Sequence, residues 1–166
     1  KSRICYWIGT KLIYKDMDPI RRQIVARARY CEDKLEAAAA SGIRQYVIIG
    51  AGLDSFALRR KELAEKLSIF ELDHPASQQV KKSRLEQLRL TFPGNHEFVA
   101  VDFEKKGLCE PLERSSYSPR HPVFFSWLGT VHYLTPQTVL NTLSAISACA
   151  YPGSELVLDY AGVQEL

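Results

Sequence analysis

The chain has 166 residues, of which 46% are hydrophobic and 25% are charged, a balance typical of one globular domain and unlike that of a disordered segment. Its net charge is +3 and its basic residues are dispersed, so we expect no nucleic-acid partner. Hydrophobic runs stay below the roughly 18 residues that a membrane span requires, and no signal-peptide pattern opens the chain. We therefore predict a soluble, cytoplasmic protein with no membrane partner.

A long helix is predicted from Asp18 to Ser41. Asp18 is suited to cap its first turn, Pro19 to occupy the first helical position and Gly42 to end it. Apolar residues recur at three- and four-residue spacing and predict one face that packs on a sheet. These residues are Ile20, Ile24, Ala28, Cys31 and Leu35.

Five predicted strands alternate with predicted helices along the rest of the chain. The strands cover about residues 45–50, 67–73, 97–102, 122–128 and 155–160, and the helices cover about 56–66, 75–90 and 135–150, with a polar stretch before the fourth strand. The first strand is a continuous apolar run, typical of a parallel strand covered on both faces. The alternation predicts an α/β fold in which a doubly wound parallel sheet carries helices on both faces.

The four cysteines are spaced too widely for a Cys-x-x-Cys metal or redox motif. They are Cys5, Cys31, Cys109 and Cys149. We expect reduced, mostly buried thiols, as in a cytoplasmic protein, and no disulfide scaffold. The histidines are His74, His96, His121 and His132. Their spacing matches no metal-binding motif, so we predict no metal site.

Distinctive residues follow three consecutive strands, at the edge where ligands bind in such sheets. Gly50 and Gly52 allow a tight turn and the close approach of a ligand. Asp73 ends the second strand, where a carboxylate can accept both hydroxyl hydrogens of a ribose, and Asp102 ends the third strand, where it can meet an adenine edge. Taken singly, such an aspartate is more often a helix cap than a ligand contact, and Asp73 precedes Pro75. Together these residues predict a pocket for an adenine nucleoside.

Two classes of ligand fit this pattern. A dinucleotide site favours a third glycine and places a pyrophosphate at the start of the following helix. Ser55 stands in the third glycine position, and the charge of Asp54 would repel a pyrophosphate. S-adenosylmethionine has no phosphate and carries a cationic amino group and a sulfonium, so an acidic turn favours the methyl donor.

Several motifs together resemble class I S-adenosylmethionine-dependent methyltransferases, in the branch of the leucine carboxyl methyltransferases and their O-methyltransferase relatives. The motifs are Arg27-Ala-Arg-Tyr, Gly42-Ile-Arg-Gln, Ile49-Gly-Ala-Gly-Leu-Asp-Ser, Phe70-Glu-Leu-Asp-His-Pro, Ala100-Val-Asp-Phe, Gly129 through Tyr133-Leu-Thr-Pro, and Tyr151-Pro-Gly-Ser. They cover nearly the whole chain from Arg27 onward in the order typical of the family. The resemblance implies a Rossmann-like methyltransferase sheet and S-adenosyl-L-methionine as cofactor.

The resemblance also implies roles for the matching residues. Arg27, with Arg29 as the alternative, would pair with the carboxylate of the donor's methionine. Asp73 would hold the ribose. The residues that would line the methionine portion are Gly50, Ala51, Gly52 and Asp54, and those that would flank the adenine are Asp102 and Phe103.

One position departs from the family pattern, because Leu128 stands where many members carry an acid. We therefore expect either a carboxylate or a small-molecule hydroxyl as the methyl acceptor, and the acceptor carboxylate could belong to a small molecule or to a protein C-terminus. The residues predicted to line the acceptor are Ser126 and Trp127. Those nominated as catalytic are His132, as a general base, and Tyr133.

The resemblance further implies that the chain is less than a whole protein. We expect a single domain over residues 1–166, truncated at both ends, with a helical part at about 1–42 and a sheet core at about 43–166. A methyltransferase sheet of this class has seven strands, so its last two are expected to be missing here. Two alternatives remain open, namely an NAD-dependent oxidoreductase and a non-catalytic domain that binds the donor.

Overall fold

The computed structural model describes residues 18–103 and 107–160. Its helices are α1 (Asp18–Ala40), α2 (Phe56–Arg59), α3 (Lys61–Ala64), α4 (Pro75–Leu88), α5 (Cys109–Glu113) and α6 (Pro136–Cys149), with a 3₁₀ turn at Val131–Tyr133. Its strands are β1 (Gln45–Ile49), β2 (Ser68–Asp73), β3 (His96–Ala100), β4 (Val123–Trp127) and β5 (Glu155–Leu158). Among the described helices, none is both long and apolar enough to cross a membrane.

The five described strands form one parallel sheet in the order β3-β2-β1-β4-β5. The chain moves outward from β1 through β2 to β3 and then returns to place β4 on the other side of β1, so the strand order reverses between β1 and β4. The predicted α/β fold class is confirmed. The expected truncation and the domain limits stay predictions, since residues 1–17 and 161–166 lie outside the described part of the chain.

The core has one layer on each face of the sheet. Every residue of β1 and of β4 is buried, as a doubly covered parallel strand requires. Cys31 and Leu35 of α1 pack on one face, and Ile146 and Cys149 of α6 lie in the layer on the other face. Each large apolar side chain buried in this way stabilises the fold by about 1.5–3 kcal/mol.

Helix α1 begins at Asp18 and is ended by Gly42, as predicted. Gly42 has φ of +105°, and the N–H groups of Gly42 and Ile43 donate to the carbonyls of Ala39 and Ala38, which is the Schellman arrangement. The predicted apolar face is confirmed only in its second half. Ile20 and Ile24 are about half exposed, because the sheet lies beneath the carboxyl-terminal half of the helix.

Two local predictions differ from the structure. The predicted helix at 56–66 is two single turns, α2 and α3, interrupted at Arg60, whose φ of −110° and ψ of 53° are not helical. Helix α5 lies in the polar stretch before β4, where no helix was predicted. It is only five residues long, and the burial of Leu108 and Leu112 in the core stabilises it. A turn held by tertiary contacts leaves little periodicity in the sequence.

The prediction of reduced thiols is wrong for two of the cysteines. The sulfur atoms of Cys109 and Cys149 are bonded, with an S–S distance of 2.16 Å. Cys109 opens α5 and Cys149 closes α6, and these residues lie 40 apart in sequence, so only the fold brings them together. Cys31 is a buried free thiol, as predicted, whereas Cys5 lies outside the described residues.

Candidate functional site

The turn after β1 is fastened to the end of β2. Gly50 and Gly52 have φ of +67° and +49°, a region that side chains strongly disfavour. The N–H groups of Gly50 and Ala51 both donate to the carbonyl of Leu72, at 2.8 and 3.2 Å. The side chain of Ala51 is buried, so only its backbone could contribute to the binding role predicted for it. A Cβ added to Gly52 would meet nothing within 4 Å, which shows open space beside the turn.

Asp73 sits directly beneath this turn. Its Oδ2 accepts from the Gly52 N–H at 2.5 Å, and its Oδ1 accepts from the His74 N–H at 2.6 Å. The cap of α4 is His74 and not Asp73, because His74 Nδ1 accepts from the Ala76 N–H. A carboxylate has about four acceptor positions, so Asp73 can hold the turn and still accept hydroxyl hydrogens of a ligand.

Asp54 directly precedes Ser55, the N-cap residue of the short helix that follows the turn, and its carboxylate contacts the first helical residue. Its Oδ1 accepts from the Phe56 N–H at 2.6 Å, and burial raises the pKa of its carboxyl above the ordinary value. The carboxylate therefore occupies an N–H group at the helix start that a pyrophosphate would need, and α2 is only four residues long. This geometry disfavours the dinucleotide alternative.

A second turn, after β4, packs against the first and against α1. A Cβ on Gly50 would lie 2.5 Å from Cγ2 of Thr130, and a Cβ on Gly129 would lie 2.5 Å from Nη2 of Arg27. Because Gly129 and Thr130 are consecutive, the Arg27 guanidinium and the Gly50 turn flank the same short segment. Three parts of the chain thus converge where the strand order reverses, which is the usual place for a ligand in such sheets.

The structure separates the two candidate arginines. Arg27 reaches the carboxyl edge of the sheet, where its Nη1 donates to Asp159 Oδ2 at 2.7 Å. Arg29 points along the exposed surface of α1 and pairs with Asp33, with Nε 2.9 Å from Oδ1. Of the two, only Arg27 lies beside the glycine turns.

The predicted adenine-flanking residues lie beside Asp73. The register pairs Asp73 with Ala100, and the Val101 N–H donates to the Asp73 carbonyl at 2.9 Å. Asp102 and Phe103 follow directly, and Phe103 is partly buried against the core layer that contains Val101. Both residues therefore stand at the same edge of the sheet as the glycine turn.

The residues predicted to line the acceptor lie in the core instead. Ser126 is 1% exposed, and its hydroxyl lies 2.9 Å from the Tyr46 hydroxyl between the sheet and α1. Trp127 is also 1% exposed and packs in the opposite layer. Alternation along β4 sends these neighbours to opposite faces, and both faces are covered. We do not retain a lining role for either residue.

His132 and Tyr133 occupy the 3₁₀ turn that follows Thr130. Both side chains are exposed, and their ring centroids lie 4.2 Å apart. Tyr133 is 81% exposed. Their place on the loop after β4 keeps them near the glycine turns, and the catalytic roles predicted for them stay predictions.

Two residues of this region were missed from the sequence. Thr130 packs on Gly50, and its Oγ1 is a buried atom without a hydrogen-bond partner. Asp159 joins Arg27 to the Gly129 turn. The signal for Asp159 was present, because it follows the fifth strand as Asp73 and Asp102 follow theirs. No local pattern distinguishes Thr130 from an ordinary loop threonine.

An open groove of about 830 Å³ lies away from this edge, between the end of α1 and the short helices α2 and α3. Its wall contains several cations, but Arg59 and Arg60 are already paired with Glu32, and Arg60 is also paired with Glu36. The groove contains none of the residues singled out from the sequence, so we place the functional site at the glycine turns.

Comparison with known proteins finds similarity to S-adenosyl-L-methionine-dependent methyltransferases. The leucine carboxyl methyltransferase family model matches residues 10–147. YktD of Bacillus subtilis (strain 168), named as an S-adenosyl-L-methionine-dependent methyltransferase, is 43% identical over 137 residues, which are 82% of this chain and 45% of that protein. The chain thus spans about half the length of the curated relatives that it matches.

Solved structures share the fold at low sequence identity. A methyltransferase structure from Thermobifida fusca YX has a TM-score of 0.61 and 18% identity, covering 81% of this chain and 51% of that one. The glycopeptide N-methyltransferase MtfA, solved with S-adenosyl-L-methionine, has a TM-score of 0.52 and 14% identity, covering 79% and 54% of the two chains. These likenesses concern the fold alone, whereas the match over residues 10–147 shows that the chain belongs to the leucine carboxyl methyltransferase family.

Proposed function

We propose that the chain is the donor-binding part of an S-adenosyl-L-methionine-dependent O-methyltransferase. The observation that carries the proposal is the meeting of the Arg27 guanidinium, the Gly50–Gly52 turn and the Asp73 carboxylate at the carboxyl edge of the sheet. Family membership and the donor given in the names of the relatives support it. No observation specifically favours the oxidoreductase alternative.

The residues present fit the donor. The open space beside Gly52 has room for the methionine portion of the donor to run close to the backbone. Arg27 supplies a planar set of N–H donors for the donor's carboxylate. Asp73 supplies acceptors for ribose hydroxyls, and the unpartnered Thr130 Oγ1 lies on the other side of Gly50. An acidic turn at Asp54 suits a ligand with a cationic amino group and no phosphate.

The chemistry that these residues support is mainly alignment. When bound, S-adenosyl-L-methionine supplies an electrophilic methyl group on a sulfonium. Arg27 and Asp73 would fix the two ends of the donor, so that an acceptor oxygen entering past the loop after β4 meets the methyl carbon in line. A carboxylate acceptor is ionised at neutral pH and needs no base, whereas for a hydroxyl acceptor a ring nitrogen of His132 would take the proton.

We propose an oxygen acceptor, either a carboxylate or a small-molecule hydroxyl. The family description, leucine carboxyl methyltransferase, supports a carboxylate. The carboxylate could be carried by a small molecule or by a protein C-terminus. The cytoplasm is the proposed location.

Calorimetric titration with S-adenosylhomocysteine tests donor binding. We expect binding by the unaltered protein and its loss in Asp73→Ala, because that change removes both the proposed ribose acceptor and the support of the Gly52 turn. Asp33→Ala, on the exposed surface of α1, is the matched control and should bind normally. Absence of binding by the unaltered protein would contradict the proposal.

Transfer from a methyl-labelled donor to a panel of acids, phenols and C-terminal peptides tests the acceptor. A methyl ester releases volatile methanol in mild base, whereas an ether or a methylamine does not, so methanol release identifies an ester and mass spectrometry of the stable products distinguishes an ether from a methylamine. Donor binding with transfer only to nitrogen would overturn the oxygen acceptor and leave the donor site intact. Donor binding without any transfer would favour the non-catalytic alternative.

A further inference from the structure

One carboxylate at the end of β5 joins three segments of the proposed donor site. Asp159 Oδ1 accepts from the Gly129 N–H at 2.6 Å, and Oδ2 accepts from Arg27 Nη1 at 2.7 Å. The Asp159 N–H donates to the Trp127 carbonyl at 3.3 Å and continues the pairing of β5 with β4. Asp159 is therefore held by the sheet and in turn holds α1.

The contact is partly shielded from water. The side chains of Arg27 and Asp159 are 26% and 20% exposed, so their attraction is stronger than that of a surface pair. Gly129 makes the approach possible, because its φ is +75° and a Cβ there would meet the guanidinium at 2.5 Å. The Arg27 guanidinium thus lies between the Asp159 carboxylate, which orients it, and the backbone of Gly129, where no side chain obstructs it.

We infer that Asp159 is a positioning residue that presets Arg27 for the carboxylate of the methyl donor. This inference rests on the proposed function. An unrestrained arginine side chain loses rotamer freedom when it binds a ligand, and restraining it beforehand removes that cost. A guanidinium has five N–H donors in a planar fork, so a second carboxylate can bind its remaining edge while Nη1 stays on Asp159.

A comparison of two ligands tests the role. S-adenosylhomocysteine carries the amino-acid portion, whereas 5′-methylthioadenosine keeps the adenosine and the thioether and lacks that portion. We expect Asp159→Asn to weaken S-adenosylhomocysteine binding about tenfold, the scale of one charge-assisted contact, and to leave 5′-methylthioadenosine binding within about twofold. The matched control is Asp33→Asn, which breaks the exposed Arg29–Asp33 pair and should change neither affinity.

A double-mutant cycle makes the dependence on Arg27 explicit. Arg27→Ala should lower the affinity for S-adenosylhomocysteine more than Asp159→Asn does. Adding Asp159→Asn to Arg27→Ala should lower this affinity no further. Equal losses for both ligands would reduce Asp159 to a structural residue and overturn the inference. Tighter S-adenosylhomocysteine binding in Asp159→Asn would also overturn it, since Asp159 would then compete with the ligand for Arg27.

Two further observations keep the inference testable. If Asp159→Asn shows no folding transition in thermal melts, NMR of the unaltered protein provides the test instead. The Arg27 Nε–H resonance, assigned by its loss in Arg27→Lys, should exchange slowly with water before ligand is added. Fast exchange there would overturn the inference. If the unaltered protein binds neither ligand, the proposed function fails. Binding that depends on Arg27 but not on Asp159 overturns only this inference.

Discussion

At the scale of single residues, the site depends on two glycines, because neither has a Cβ atom. Gly50 and Gly129 stand where a Cβ would meet Thr130 and Arg27, and both have positive φ. These glycines allow two turns and a helix side chain to approach within contact distance. The sequence identified the first turn because two glycines follow an apolar run, and it also contained the acids at the ends of β2, β3 and β5.

Gly50→Ala should lower the free energy of unfolding by about 2–4 kcal/mol. The positive φ costs about 1–2 kcal/mol for a residue with a Cβ, and the contact with Thr130 adds the cost of overpacking. Gly94→Ala is the control, because Gly94 has open space around it, and it should change stability by less than about 0.5 kcal/mol. Urea denaturation measures both, and equal stabilities would refute the packing described for Gly50.

Asp54→Asn should stabilise the protein at pH 7 and lose this advantage in acid. Burial raises the pKa of Asp54 above 3.8, so the folded state favours the protonated form, and the ionised form costs stability at all pH values above the folded-state pKa. That cost disappears below the unfolded-state pKa. Asparagine is uncharged and keeps an oxygen for the Phe56 N–H.

Denaturation at pH 7 and near pH 3.5 measures the effect at Asp54. The gain of Asp54→Asn over the unaltered protein should be larger at the higher pH. Asp33→Asn, an exposed aspartate, should show no such gain. A loss of stability at pH 7 in Asp54→Asn would show that the carboxylate charge contributes more than its burial costs.

At the scale of elements, α4 is fixed to the sheet by polar groups as well as by apolar contacts. Gln78 donates to the carbonyls of Glu71 and Val99, each at 3.0 Å, and so spans β2 and β3. The ammonium of Lys81 lies 2.5 Å from Glu71 Oε2 in the interior. His96 Nε2 lies 3.0 Å from Glu71 Oε1, although without hydrogen-bond geometry. The apolar pattern of α4 is weak, and these contacts explain how the helix still packs.

Lys81→Met should lower the free energy of unfolding by about 3–5 kcal/mol, the usual cost of leaving one member of a buried ion pair alone. Lys82→Met is the matched control on the next, exposed residue. Its ammonium lies 4.8 Å from the Phe98 ring centroid, and its loss should cost no more than about 1 kcal/mol. Similar effects of the two substitutions in thermal melts would contradict the burial of the Glu71–Lys81 pair.

The element boundaries were predictable to within about two residues wherever a strand or helix follows its own periodicity. Strand β1 was recognisable because its apolar run is unbroken and ends at glycine. Helices α2 and α3 were predicted as one helix, since the break at Arg60 has no local signal in the sequence, such as a proline or a glycine. Helix α5 was missed for the same reason, because tertiary burial of Leu108 and Leu112 holds it.

At the scale of the whole molecule, β4 and β5 complete the site that β1 and β2 begin. Strand β4 lies beside β1 although nearly eighty residues separate them. That crossing brings the Gly129 turn to Gly50, and β5 adds Asp159 beyond it. The disulfide between α5 and α6 lies toward the opposite edge of the sheet, because Cys149 ends the helix that runs from the end of β4 back to the start of β5.

Removal of the disulfide should lower the free energy of unfolding by about 3–4 kcal/mol, the chain-entropy value for a loop of 40 residues. Replacing Cys109 and Cys149 together by alanine, or reducing the unaltered protein with dithiothreitol, should have similar effects in urea denaturation. The double variant should not respond to dithiothreitol, which makes it the control for the reagent. No change on reduction would show that the bond contributes nothing to stability.

The sequence by itself determined the alternation of strands and helices and the edge at which Gly50, Gly52, Asp73 and Asp102 stand. These features follow from local patterns, because side-chain periodicity and turn residues act over a few positions. Tertiary structure decided which distant residues meet. It places Arg27, and not Arg29, beside the glycine turns, and it pairs Arg27 with Asp159 across 132 residues. It also brings Cys109 to Cys149 and buries Ser126 and Trp127. Strand order and register determine those contacts, and neither can be predicted from any short segment of the chain.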